Sequence, residues 1–140
     1  RVTGLSGKVV VSASWYRQGD FSTPHNDLGG KRCIAFVWHL SRAWDETDGG
    51  DLVWCSPYAR FPPSFNTLYL FLVHHTSHHF VQQVSDQAPG RRLAVNGWFV
   101  IDDEAALDAL YEDGQQQHAA RLREGESVFC LWSRDGQTAA

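Results

Sequence analysis

Two places along this chain carry residues able to hold a metal ion. His25-Asn26-Asp27 sets an imidazole and a carboxylate two positions apart. In an extended segment, residues i and i+2 point the same way, so both side chains can converge on one ion. An isolated pair of this kind is equally a solvated turn after Pro24. The second place is His74-His75-Thr76-Ser77-His78-His79, which holds four of the chain's seven histidines. Neighbouring histidines on a strand face opposite ways, so His78 and His79 do not easily serve one ion together, and His74 and His75 read as a polar loop. Two His and one Asp from separate strands form a facial triad with open coordination positions, an arrangement suited to Fe(II). Zinc held by two His and a carboxylate is the chemical competitor.

A pair of arginines adds a second kind of chemistry. Arg92 heads a run whose alternation places Arg92, Ala94, Asn96 and Trp98 on one face and Leu93, Val95, Gly97 and Phe99 on the other. A guanidinium buried at the head of such a strand needs an anionic partner. A dicarboxylate would satisfy it in bidentate fashion. The alternative makes Arg92 an exposed strand-end residue and Arg91 the buried one.

The elements that must position these residues are short β-patterned runs separated by Gly, Pro, Asp and Asn. Lys8 to Tyr16 alternates, with Val9, Val11, Ala13 and Trp15 on one face and Val10, Ser12, Ser14 and Tyr16 on the other. Arg32 to Leu40 is nearly continuously apolar, as expected of a strand covered on both sides. Asp51 to Ser56, Asn66 to Val73, His78 to Val84 and Arg92 to Val100 complete the set. This spacing predicts an all-β sandwich, barrel or jelly roll. The period then changes: Asp103 to Glu112 sets Ala106, Leu107, Leu110 and Tyr111 at helical spacing behind an Asp cap. Gln115 to Arg123 is a weaker helical stretch, and Val128 to Trp132 is apolar enough for an edge strand. The organisation expected is one domain over residues 1–140, a β core of about 5–100 and a helical tail of about 102–124.

The 140 residues include 12 Lys+Arg against 16 Asp+Glu, for a formal charge of −4. That balance, with no long basic run, argues against a nucleic-acid partner. The 43% hydrophobic and 20% charged fractions are those of a globular chain. No apolar stretch approaches the ~18 residues of a membrane helix. Cys33, Cys55 and Cys130 are odd in number and widely spaced. They read as thiols in a reducing, intracellular compartment, cytoplasmic or nuclear. A chain that starts at Arg1 and contains no Met reads as a domain trimmed from a longer protein.

Taken in order, several of these pieces form a longer pattern. Tyr16-Arg17-Gln18-Gly19-Asp20-Phe21 is followed by Pro24-His25-Asn26-Asp27, then Arg32 through Leu40, Trp44 and Gly49-Gly50-Asp51-Leu52. Pro63 through Leu68, Ser77 through Val84, and Arg92 through Gly97-Trp98-Phe99 come after. From about Tyr16 to Phe99 the chain resembles the prolyl-4-hydroxylase-like branch of the Fe(II)/2-oxoglutarate-dependent oxygenases. The resemblance implies a double-stranded β-helix, or jelly roll, with the metal inside one mouth. It implies that His25 and Asp27 are the first two iron ligands and His79 the distal one, Ser77-His78-His79-Phe80-Val81 matching the family's Ser-x-His-x-Val. A strand shifted by one residue would make His78 the ligand instead. Arg92, six residues before Trp98, matches the Arg that holds the far carboxylate of 2-oxoglutarate. Tyr16, nine residues before His25, matches a co-substrate-binding Tyr. His39 stands where relatives often have a second such Tyr, and Asn96 and Trp98 share the face of Arg92 as pocket-lining residues.

By the same resemblance the cofactors are Fe(II), 2-oxoglutarate as co-substrate and O2, with ascorbate as an accessory reductant. The implied reaction hydroxylates a C–H bond, first of all on a prolyl residue, so a protein or peptide is the expected partner; a free amino acid or peptide-like small molecule is the alternative. Trp15, Trp38, Trp44 and Trp54 could line a substrate groove, or pack in the core. Two readings of other classes remain: a non-catalytic cupin-like metal-binding module, and a zinc hydrolase using Asp20 or Asp86 as its base.

Overall fold

A computed structural model describes residues 7–103, 105–109, 112 and 130–133. Its strands are β1 (Lys8–Tyr16), β2 (Arg32–His39), β3 (Leu52–Cys55), β4 (Tyr58–Phe61), β5 (Thr67–Leu72), β6 (His79–Val81), β7 (Arg92–Val100) and β8 (Cys130–Ser133). They form two antiparallel sheets, a five-stranded one in the order β1-β7-β2-β5-β8 and a three-stranded one in the order β4-β3-β6. The sheets face each other as a jelly roll around Ala35, Leu52, Trp54, Phe61, Tyr69, Phe71 and Val73. β-Branched and aromatic residues on the inward pleat of β2, β3 and β5 fill this layer, and their burial drives the two sheets together.

The segment between β1 and β2 has no strand of its own length but extends the smaller sheet. Gly19 N–H donates to Val84 O, Val84 N–H to Asp20 O and Ser22 N–H to Val81 O, so the chain runs alongside β6. The run ends in a two-way backbone pair, His25 N–H to His79 O at 2.9 Å and His79 N–H to His25 O at 2.8 Å. β6 is shorter than the apolar run His78 to Val84 suggests, because Val84 leaves it to bridge Gly49. The hairpin strand β4 is not legible from its composition. Four residues with an exposed Tyr58 and the charged Arg60 carry little alternation, and β4 is defined by pairing with β3.

On the outer face of the large sheet, Cys33, Ile34 and Ile101 pack with Leu107, which comes from the helical residues 105–109. Asp103 caps this turn by accepting the Ala106 N–H at 3.2 Å, as its type predicts. The expected stretch Gln115 to Arg123 lies outside the described residues. The expected edge strand is present as Cys130–Ser133, paired with β5. β2 is covered on both sides over Cys33–Ala35 only; towards its other end Trp38 is 42% exposed on the outer face. Trp15, at 55% exposure, also lies on that outer face of the sheet. Neither lines the cavity that holds His25, Asp27 and His79, whereas Trp54 is in the core.

The large sheet is held at its middle by Gly97 of β7, which lies between Val11 of β1 and Phe36 of β2. A Cβ at this position would overlap the Val10 carbonyl oxygen and press on the Phe36 ring at 2.9 Å. Gly97→Ala should therefore lower unfolding stability by about 1–3 kcal/mol. The check is urea denaturation, where the midpoint should fall with little change in slope.

Candidate metal centre and anion-binding cavity

The backbone pair between His25 and His79 puts two imidazoles from different segments side by side, with ring centroids 4.4 Å apart. Asp27 completes the group. His25 Nε2 lies 3.6 Å from Asp27 Oδ1, and His79 Nε2 lies 3.4 Å from Asp27 Oδ2. One ligand atom from each residue falls within 4.8 Å of the others. Both imidazoles are oriented from behind: His25 Nδ1–H donates to the Thr23 carbonyl and His79 Nδ1–H to the Ser77 carbonyl, each at 2.8 Å. A carbonyl only accepts, so Nδ1 must carry the proton, and in the neutral ring the Nε2 lone pair faces Asp27. This is the support that metal-binding histidines require.

Two sequence expectations meet their test in this geometry. The i, i+2 argument assumed an extended His25–Asp27 segment, but Asp27 has φ 63, in the left-handed region. The turn, not strand alternation, swings its carboxylate towards the histidines. Of His78 and His79, the strand turns the second inward: His79 is buried and His78 is exposed. The His79 ring is stacked on Trp54 at 5.7 Å and meets the edge of Phe71 at 4.7 Å. His74, half-buried, is turned to Thr76 instead.

The three residues line a cavity of about 110 Å³, together with Tyr16, Ser14, Asn96, Trp98 and Arg92. Arg92 is 2% exposed, directly opposite Tyr16 in the β1–β7 register, with its guanidinium 5.3 Å from the Tyr16 ring centre. Arg91 is exposed. Arg92 Nε–H donates to the Gly50 carbonyl, while Nη2 is buried with no hydrogen-bond partner among the described residues. Burial, partly offset by Tyr16 and Asp51, brings the Arg92 pKa down to about 10, which leaves it cationic at neutral pH. A buried guanidinium nitrogen with no hydrogen bond is costly, and a carboxylate entering the cavity would remove that cost. Leu52, Phe71 and Val81 supply apolar wall in the same cavity. A donor set of two imidazoles and a carboxylate, an orphaned guanidinium nitrogen and apolar wall together fit Fe(II) and a dicarboxylate with a short hydrocarbon linker.

Gly50 makes this placement of Arg92 possible, a role its sequence position does not disclose. It has φ 74, and a Cβ there would stand 2.8 Å from Arg92 Cδ. The neighbouring Asp51 is tied to Arg60 at 2.7 Å, which fixes the loop. On the opposite side of the cavity, the Arg32 guanidinium lies 3.9 Å above the Trp98 ring. Burial is the largest influence on the Asp27 carboxyl and raises it, but its interactions with His79, Trp98 and His25 together outweigh that. The carboxyl therefore sits below its ordinary value, although Trp98 Nε1–H makes no close hydrogen bond. Asp27 is thus held ionised, the form in which it is a ligand.

His39 is not among the residues that line the cavity. It is fully buried, edge to face with Tyr69 at 5.3 Å, and neither ring nitrogen has a partner among the described residues. Its expected direct contact with co-substrate therefore has no counterpart on the cavity wall. Asp20 and Asp86, the candidate bases of a hydrolase, do not line the cavity either.

A family model described as the 2OG-Fe(II) oxygenase superfamily matches residues 11–100. The chain belongs to that superfamily. It is 33% identical over 126 residues to Prolyl 3-hydroxylase sudestada1 of Drosophila melanogaster, covering 78% of this chain and 23% of that protein. It is 32% identical over 115 residues to Prolyl 3,4-dihydroxylase OGFOD1 of Ostreococcus tauri, covering 70% of this chain and 22% of that one. The chain therefore spans less than a quarter of the length of these curated relatives. Among solved structures, a prolyl-4-hydroxylase of Pseudomonas putida matches with a TM-score of 0.60 at 24% identity, over 67% of this chain and 52% of that one. A Trichoplax adhaerens prolyl hydroxylase, in complex with a hypoxia inducible factor oxygen degradation domain peptide fragment, matches with a TM-score of 0.57 at 24% identity. That match covers 69% of this chain and 46% of the other. Both carry the jelly-roll fold described above.

The burial of His39 has a consequence for acid stability. Burial first, and the Arg92 charge second, push its pKa from 6.5 down to about 3. Between those values the unfolded chain binds the proton that the folded chain refuses. Stability is therefore complete above about pH 6.5 and falls as pH drops towards 3, by up to about 1.4 kcal/mol per pH unit. His39→Phe should flatten this limb. Urea unfolding at pH 7 and pH 5 checks it: the variant should lose less stability than wild type on acidification, and parallel losses would contradict the assignment.

Proposed function

We propose that this chain is the catalytic core of an Fe(II)- and 2-oxoglutarate-dependent dioxygenase that hydroxylates a prolyl residue in a protein or peptide. The observation that carries the reading is one cavity holding both the His25–Asp27–His79 group and the unpartnered Nη2 of Arg92. The names of the two curated relatives and of the Trichoplax adhaerens structure, each a prolyl hydroxylase, support the substrate class.

His25 Nε2, His79 Nε2 and an Asp27 oxygen would hold the iron. When bound, iron supplies the oxygen chemistry: one atom of O2 enters the substrate C–H bond as hydroxyl and the other enters succinate, as 2-oxoglutarate loses CO2. Everything else falls to the chain. Arg92 binds the far carboxylate of 2-oxoglutarate through Nη2, with Tyr16 flanking it. Leu52, Phe71 and Val81 enclose the methylene groups and keep water away. The Thr23 and Ser77 carbonyls keep the Nδ1 protons in place, so that both histidines present Nε2 to the metal. Asn96 and Trp98 form the remaining wall, and Trp98, steadied by Arg32, offers aromatic surface to a pyrrolidine ring.

Two expected outcomes test this reading. Anaerobic addition of Fe(II) and then 2-oxoglutarate should give a weak visible absorption band, lost in His79→Ala and retained in His74→Ala. A folded, metal-loaded protein without the band would overturn the co-substrate assignment. In turnover assays with prolyl peptides, followed by a mass gain of one oxygen, His25→Ala, Asp27→Ala and His79→Ala should each be inactive. Arg92→Ala should raise the apparent KM for 2-oxoglutarate by about 100-fold, as expected for loss of a buried charge-assisted contact. Oxidation of free proline in place of every peptide would redirect the substrate assignment to a small molecule.

A further inference from the structure

Ser77 lies in the histidine-rich connection between β5 and β6, yet it touches both ligand-bearing segments. It is fully buried. Its carbonyl accepts the Nδ1–H of His79. Its hydroxyl accepts the His74 N–H at 3.0 Å and lies 2.7 Å from the His74 carbonyl and 3.0 Å from the Asn26 carbonyl. The hydroxyl has one proton to give. The His74 carbonyl already receives the Ser77 N–H, whereas the Asn26 carbonyl has no other donor among the described residues. The proton is shared between the two carbonyls, and of the two it is Asn26, standing between His25 and Asp27, that depends on it.

That bond matters because Asp27 is the next residue in the chain. Asp27 is in the left-handed region at φ 63, a conformation that persists where the surroundings fix it. The peptide leading into this turn is the one whose carbonyl Ser77 grips. We propose that Ser77 is a positioning residue of the metal centre, its hydroxyl setting the Asp27 turn and its carbonyl setting the His79 ring. One side chain and its own backbone thus hold ligands that lie 52 residues apart in the chain. This inference rests on the iron-site reading above.

The test compares variants that differ in the hydroxyl alone. Ser77→Ala removes it at smaller volume; Ser77→Thr and Ser77→Val, isosteric with each other, repeat the comparison at larger volume if the alanine variant does not fold. Co(II) affinity is measured by competition with a chromophoric chelator, together with the ligand-field spectrum of the Co(II) form and the melting of the metal-free proteins. The hydroxyl-free variants should bind Co(II) about 10- to 100-fold more weakly than wild type and Ser77→Thr, the range for loss of groups that orient ligands. Their ligand-field bands should shift, while the melting of the metal-free proteins reports any loss of fold separately. Affinities within about threefold across both pairs, with an unchanged spectrum, would overturn the proposal. Failure of wild type itself to bind Co(II) would instead overturn the iron-site reading, and this inference with it.

Discussion

The two backbone hydrogen bonds between His25 and His79 are the constraint on which the site depends. They fasten the segment following β1 onto β6, and so decide that an imidazole from each stands on the same side of the smaller sheet. A slip of one residue in this pairing would turn His79 outward and bring in its exposed neighbour, because strand side chains alternate. The register is not left to this pair alone. Gly19, Ser22 and Val84 bond along the same run, and Val81 packs inward two residues beyond His79. The stacking of Trp54 and the edge of Phe71 then hold the ring once the backbone has placed it. The geometry of the His25–Asp27–His79 group is thus a product of sheet pairing and core packing together.

A second constraint acts at the other end of the cavity. Arg92 is carried inward by the alternation of β7, opposite Tyr16, and has to be accommodated in a space where a side chain at position 50 would collide with it. Gly49-Gly50 solves this with two positive-φ residues, and the Gly50 carbonyl takes one guanidinium proton donor. A second nitrogen, Nη2, is left without a hydrogen-bond partner among the described residues. A folded protein tolerates such a group where a ligand completes it, and native structures keep few of them otherwise.

Much of this is legible in the sequence, for identifiable reasons. The strands bearing the site have alternation or continuous apolar runs, so β1, β2, β5 and β7 stand within a residue or so of where the pattern sets them. The helical turn behind Asp103 follows from its capping residue and the burial of Leu107. The hidden features depend on contacts between distant segments. β4 exists because β3 pairs with it. The left-handed turn at Asp27 has no sequence signature, since aspartate is common in extended and turned backbone alike. His39 shares the inward pleat with wall residues, and alternation cannot distinguish the cavity surface from the layer beneath it. Ser77 is visible in the sequence only as part of a motif, because its role lies in a bond to a carbonyl 51 residues away.

The charges of the site bear on what it can accept. Asp27 is held ionised and Arg92 remains cationic, so these two offset each other across the cavity. A divalent metal on the histidine–aspartate group would add two positive charges in a largely enclosed space. A monocarboxylate could then neutralise only part of the excess, and could reach only one end of it. A dianion with its charges separated by a short apolar linker meets both ends, and the apolar wall of Leu52, Phe71 and Val81 suits the linker. Buried charges must be paired in this way to be tolerated. On the proposed reading, selectivity for a dicarboxylate would follow from where the two charged groups stand, before any further contact is considered.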